Sequence, residues 1–435
     1  MGKNKFSVFQ VVILAIFTVF AVAGLLFFAG VGGLGNKKET VGPVLVWGTL
    51  DDAAFEEIIS QLGETDERVR QVVYERKDSR TYNTELAEAL ASGRGPDLFI
   101  LREDFIVRHK DKIALIPYES LPRQQFEDTF VQGANLFLDS GGVIGVPIAI
   151  DPLVLYWNQD MLSSAGFVGA PKYWDEMLDI AEKVTQRDEN NNILKSAIAF
   201  GEFENVDNAK DIMSTLIIQA GGTIAALDGQ GRLRPSLAAR TGDANQPTQS
   251  ALRFFAEFAN PSKTVYSWNR SLTNSREAFA AGDLALYIGY ASEHALLRSL
   301  NPNLNFSVAP MPQIRGGERS VTFAHSYAFS IPLASANPNG ALSVAFILAG
   351  SGPSALLSQA RGTPSPRRDV LAASVDGPDS IFRDMAIVGK GWPDPDAAAT
   401  AQIFKGMIES VTTGALRLSE AVAQADKELG NLLGL

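Results

Sequence analysis

The 435-residue chain has no cysteine and only three histidines, His109, His294 and His325. The first absence excludes disulfides, thiolate metal sites and a cysteine nucleophile. The second leaves few imidazoles for proton transfer, and no local motif pairs any of them with a nucleophile. Positive charge is also scarce: 38 Lys and Arg stand against 49 Asp and Glu, a net charge of −11. Residues 1–35 carry Lys3, Lys5 and no acid, so the remainder is two charges more negative still. Such a surface repels phosphate backbones and argues against a nucleic-acid partner. The patterns H-E-x-x-H, G-x-S-x-G and G-x-x-x-x-G-K are missing too. At Gly389-Lys390 the earlier glycine that a phosphate loop needs is replaced by Asp384. No cofactor or metal is implied. Asp188, Asn190 and Asn192 have calcium-loop spacing, but Ile193 and Ala199 stand where glycine and glutamate are required, so a solvated turn is expected.

What is present is ordinary globular composition, 46% hydrophobic and 20% charged. The length exceeds what one hydrophobic core usually supports, so two lobes are expected. Phe6–Gly35 has no charge, and within Val11–Val31 only Thr18 is clearly polar. Those residues span roughly 30 Å as a helix, about one hydrocarbon core. That is longer than the apolar region of a cleaved signal peptide, so an uncleaved anchor at 11–31 is expected. Residues 1–10 would be a short cytoplasmic start and 32–42 a linker, with the large domain outside the membrane. Gly30-Val31-Gly32-Gly33-Leu34-Gly35 matches G-x-G-x-x-G, but no strand precedes it, so it reads as a flexible exit from the bilayer.

Beyond the linker, Pro43–Thr49 reads as a buried strand. Asp51 and Asp52 open a helix with Phe55, Ile58, Ile59 and Leu62 on one face. Val69–Tyr74 is a second strand. Tyr82, Leu86, Ala89 and Leu90 mark a second helix that Gly93 can end. Pro96–Leu101 is a third strand. Strand–helix–strand–helix–strand predicts a parallel α/β sheet. Ligands gather at the carboxyl ends of such strands, which places Thr49, Asp51, Arg102 and Glu103 near a site. Further on, helices are expected over Pro171–Val184, Ala209–Ala220, Gln249–Phe258, Ser275–Ala281, Asn339–Ala349 and along the stripe Leu418, Val422, Ala425, Leu429 and Leu432. Strands are expected at Leu284–Ile288, Asn305–Pro310 and Tyr327–Ile331. Pro147–Asp160 (PIAIDPLVLYWNQD) is apolar except for Asp151, which needs a reason to be there.

The ordered segments PVLVWGT, LAEALASGRGPDLFIL, GVIGVPIAIDPLVLYWNQDMLSSAGFVGAPKYWDEMLDIAEKVTQ, REAFAAGDLALYIGY, NFSVAPMPQ and SYAFSIPLASANPNGALSVAFILAG resemble the extracellular solute-binding proteins of ABC importers. ARGTPSPRRDVL continues the likeness, which runs from Pro43 to about Leu371 and is nearest the maltose-type, sugar-binding branch. The resemblance implies an α/β, periplasmic-binding-protein-like fold (type II), two α/β lobes joined by a hinge, here with one N-terminal transmembrane helix. Lobe 1 would hold 43–150 and 326–366, and lobe 2 would hold 151–325 and 367–435. The chain would cross near Ala149–Pro152, Ala324–Ser326 and Pro364–Arg368. Asp151 then falls at a crossing, where maltose-type members often place an acid on a sugar hydroxyl; it also fits a turn held by backbone amides.

The resemblance further offers Glu204 and Asn205 as sugar contacts, and Tyr290 and Ser292 after the Leu284–Ile288 strand as an aromatic platform. Asp97 is a candidate with an equally good structural role. Trp268 and Trp392 are the tryptophans free of strand and helix patterns, so they are candidates for stacking on sugar rings. Thr49 and Asp51 complete the set, although Asp51 also fits a helix cap. Many relatives carry a lipid-modified cysteine after the signal; its absence leaves anchoring to the apolar span. The implied partners are a small solute, a saccharide in the first instance, and ABC permease subunits. A hydrolase with two cleft carboxylates and a ligand-binding sensor are the alternatives.

Overall fold

The computed structural model describes residues 41–241, 246–317 and 319–435. The expected anchor at 11–31 lies outside the described residues, and no single described helix is long and apolar enough to cross a membrane. Strand β1 (Val44–Gly48) alternates buried and half-buried residues, as a strand covered unequally on its two faces should. Asp51 accepts a hydrogen bond from the Ala53 amide and caps helix α1 (Asp52–Thr65), which buries Phe55 and Ile58. Strand β2 (Val72–Arg76) and helix α2 (Tyr82–Ser92) follow. Gly93 ends α2 in the left-handed region, φ 66°. Strand β3 (Leu98–Arg102) runs beside β1, and both β2 and β3 pair with β1 in parallel, as expected.

The next principal strand is β4 (Val146–Asn158), thirteen residues with nearly every side chain buried. Helix α3 starts at Glu176 and runs to Val184, later than the expected Pro171. The Glu176 carboxylate accepts from the Lys172 and Tyr173 amides, and the Trp174 amide donates to the Gln313 carbonyl. Those bonds commit residues 171–175 to a loop. Asp188 closes the turn after it by accepting from the Asn190 and Asn192 amides, 2.9 and 2.8 Å. Strand β5 (Ile193–Ile198), helix α4 (Ala209–Gln219), helix α5 (Pro247–Glu257), strand β6 (Leu284–Tyr290) and strand β7 (Phe306–Ala309) come next. Strand β8 (Thr322–Pro332) is longer than its expected apolar core, because polar His325 and Ser326 are also part of it. Helices α6 (Pro338–Leu348), α7 (Ala397–Thr412) and α8 (Leu418–Leu432) close the chain.

One sheet carries the architecture, in the order β2–β1–β3–β8–β4–β6–β5, with β7 also paired to β4. β8 is antiparallel to both β3 and β4, so the sheet is mixed where the two long strands run through it. His325 lies opposite Asp151 in that pairing, and Ala324 opposite Pro152. Buried apolar residues form two large clusters. One draws on residues 44–148 and 328–357, around Phe55, Phe99, Phe126 and Phe329. The other draws on residues 153–323 and 382–429, around Tyr156, Phe200, Phe255 and Phe279. A small third cluster, Val131, Ile150, Ala324, Leu371 and Ala386, sits where β4 and β8 pass between them.

Candidate functional site

Between the two cores lies a cavity of about 400 Å³. The carboxyl end of β3 supplies Arg102, and the turn after it supplies Asp104. The first turn of α4 supplies Lys210 and Asp211. β4 and β8 contribute Asp151, His325 and Tyr327, and the end of β6 contributes Tyr290 with Ser292 just beyond. Carboxyl ends of strands and amino ends of helices both expose unpaired backbone groups, which is why polar side chains and ligands collect there.

Asp151 is 5% exposed and is held by Ser292, whose amide donates at 3.1 Å and whose hydroxyl donates at 2.6 Å. Burial pushes its carboxyl up to about 6, and the two Ser292 bonds oppose that only in part. Glu103 stands beneath the cavity and accepts from the Ser326 amide at 2.7 Å; its other oxygen is 2.6 Å from His325 Nδ1. Burial raises the Glu103 carboxyl, against the pull of His325. Burial alone would lower the His325 imidazole, but Glu103 raises it above the ordinary value. Arg102 grips Asp104 with two N–H groups, at 2.6 and 2.5 Å. Burial would raise Asp104, yet the Arg102 charge outweighs it and holds the carboxyl down.

On the opposite wall Lys210 donates to Asp394 at 2.8 Å. Burial disfavours its ammonium, but Asp211 and Asp394 more than offset that and raise it. The Tyr290 hydroxyl donates to Asp211 Oδ2 at 2.6 Å, and its ring stacks on His325 with centroids 4.9 Å apart. Asp211 Oδ1 is buried with no hydrogen-bond partner among the described residues. Among those residues no group of three or more His, Asp or Glu is placed to hold a metal ion. The arrangement can orient a polar guest through many hydrogen bonds and fixed charges.

Of the sequence candidates, Asp151, Tyr290 and Ser292 line this cavity. The others do not. Asp97 accepts from the Leu45 and Asn337 amides and the Ser335 hydroxyl, fixing the opposite end of β3. Asp51 caps α1 and pairs with Arg76 at 2.9 Å. Thr49 is half-buried in the bend after β1. Glu204 is exposed and paired with Lys405. Asn205 is a structural clip: it accepts from Trp268 Nε1 at 3.1 Å and donates to the Asn269 and Leu272 carbonyls. Trp268 is 1% exposed in the second core, so no ring face is free for a sugar. Trp392 is buried against Phe404 and beside Lys210, likewise away from the cavity lining. Asp104, Asn208, Lys210, Asp211, His325 and Tyr327 were not singled out from sequence. Arg102 was flagged only through its strand end, a signal that also reaches Asp104 two residues later.

Two α/β cores that share one sheet and enclose a polar cavity have the architecture of a two-lobed binding protein. Residues 53–379 match the family described as bacterial extracellular solute-binding protein, and the chain belongs to that family. Its members bind solutes and are not enzymes, which removes the hydrolase alternative. No curated protein matches the sequence. Among solved structures, a cyclo/maltodextrin-binding protein complexed with maltotetraose is similar at TM-score 0.71 and 17% identity, covering 89% of this chain and 96% of that one. An ABC transporter solute-binding protein from Thermotoga lettingae TMO, bound with α-D-tagatose, is similar at TM-score 0.65 and 22% identity, covering 90% and 100%. The GacH receptor of Streptomyces glaucescens GLA.O gives TM-score 0.68 and 16% identity over 90% and 98%. These likenesses show an α/β, periplasmic-binding-protein-like fold.

Proposed function

We propose that the chain captures a saccharide in the cavity between its halves and delivers it to an ABC permease. The observation that carries this reading is the cavity of about 400 Å³, walled by β3 from one core and α4 from the other, with β4 and β8 as its floor. Carboxylates and hydroxyls dominate its polar lining, and a polyol presents donors and acceptors in the same density. The similar structures with maltotetraose and tagatose support a sugar as the class of guest. In this reading lobe 1 is 43–150 with 326–366, and lobe 2 is 151–325 with 367–435. The hinge runs through the small cluster at Ile150 and Ala324, and rotation about it closes the cleft. Residues 11–31 hold the domain at the outer face of the membrane, within reach of the permease.

The test is a thermal-shift screen of the full chain in detergent against mono- to tetrasaccharides, with product analysis of each mixture. At a hundred times its dissociation constant a guest stabilises by about 2.7 kcal/mol. A saccharide that raises the melting temperature and is recovered unchanged is the expected result. A screen in which no saccharide raises it overturns the reading. Membrane fractionation of the full chain, with and without residues 1–35, tests the anchor.

A further inference from the structure

The charges around the cavity do not balance. Asp104, Asp151 and Asp211 face it, with Arg102, Lys210 and His325. Two more carboxylates stand directly behind, Glu103 on His325 and Asp394 on Lys210. The fixed cations are already committed. Arg102 spends two N–H groups on Asp104, and Lys210 spends its shortest bond on Asp394. His325 brings at most one charge; its Nδ1 is 2.6 Å from Glu103, and its Nε2 is 3.9 Å from Asp211 Oδ2. Arg361 lies over the Tyr327 ring, 4.3 Å from its centroid, and does not line the cavity. Five carboxylates therefore meet at most three positive charges.

Two of the five, Asp151 and Asp211, are hydrogen-bonded only by neutral groups, the Ser292 amide and hydroxyl and the Tyr290 hydroxyl. Asp211 is 8% exposed, and its Oδ1 has no hydrogen-bond partner among the described residues. Cavity-lining carboxylates held only by neutral donors are under-compensated, so a guest that brings positive charge and donors to them gains disproportionately. A sugar hydroxyl supplies one donor and no charge. An ammonium supplies three donors and the missing positive charge. Ring stacking adds little here, because Trp268 and Trp392 are buried and one Tyr290 face is covered by His325.

We propose that the cleft takes a sugar bearing a free basic amine, its ammonium drawn to the Asp211 and Asp151 carboxylates that line the cavity. This rests on the saccharide reading above. The full chain is screened against glucosamine, galactosamine, mannosamine and β-1,4-linked diglucosamine. Each is paired with its neutral parent sugar and its N-acetylated form. The expected result is a thermal shift from at least one free amine that its parent and acetylated form fail to give, with affinity at least roughly thirtyfold weaker in Asp211→Asn. Asp151→Asn is the second variant, expected to weaken the same ligand should Asp211→Asn fold poorly. Parent sugars that stabilise as well as the amines overturn this inference and leave the saccharide reading standing. A panel with no response overturns this inference alone, and a simple diamine such as putrescine that stabilises when no sugar does overturns both.

Discussion

At the scale of single residues, the molecule places acids where burial and partners set their state. Asp151 illustrates the consequence. Its carboxyl stands near 3.8 when free and at about 6 in the fold, so folding favours the protonated form. The stability it lends is complete below pH 4 and is lost as pH rises through 6, by roughly 3 kcal/mol for a change of this size. Asn at 151 keeps an acceptor for the Ser292 amide, its NH2 can donate to the rotatable Ser292 hydroxyl, and it cannot ionise. Urea unfolding of wild type and Asp151→Asn should therefore diverge from pH 4 to pH 7, with the variant gaining. A constant difference across that range would show that Asp151 is not desolvated as described. Trp268 makes the opposite point, since its ring serves the core. Trp268→Phe removes the indole N–H from Asn205 Oδ1 and leaves that acceptor without the bond. A loss of about 1–3 kcal/mol in unfolding free energy is expected, with the ligand-induced thermal shift unchanged. A lost shift at full stability would return Trp268 to the binding site.

At the scale of elements, close approaches at the crossing dictate small residues. A Cβ on Gly389 would come within 2.8 Å of the Ala324 Cβ, and one on Gly133 within 2.8 Å of the Gly389 carbonyl oxygen. Gly389→Ala should overpack the junction of β8 with its neighbours and cost about 1–3 kcal/mol. Equilibrium unfolding in guanidinium measures it, and an unchanged midpoint would mean that the crossing yields easily. Such contacts are invisible in sequence, whereas most elements are not. The cap at Asp51, the stop at Gly93 and the apolar faces of α1, α2, α4 and α8 follow 3.6-residue periodicity, so they were legible. The start of α3 was not, because a tertiary bond from Trp174 to Gln313 decides it. The same reason hid much of the cavity. Asp211 and Lys210 look like ordinary charges in a helical first turn until Tyr290 and Asp394 are brought against them. Tyr290 and Ser292, which the resemblance offered, line the cavity, whereas Trp268 is buried in the second core because isolation from a pattern does not imply exposure.

At the scale of the whole molecule, two cores share one sheet. β4 begins in the first cluster and ends in the second, and β8 does the same in reverse, so each strand belongs to both. Neither core can lose its packing without freeing half of a strand that the other core holds through the β4–β8 ladder. The crossing also carries buried polar bonds between halves. Glu103 beside β3 holds both His325 and the Ser326 amide, and breaking them strands a buried carboxylate. Independent lobes would give two calorimetric transitions; this connectivity predicts one. A guest seated between β3 and α4 contacts both cores, so it should move that single transition upward as a unit rather than split it. Differential scanning calorimetry of the full chain, with and without the stabilising sugar, reads both features. A lower transition that stays put while an upper one shifts would mean that the shared strands do not couple the halves, and that the guest is held by one of them alone.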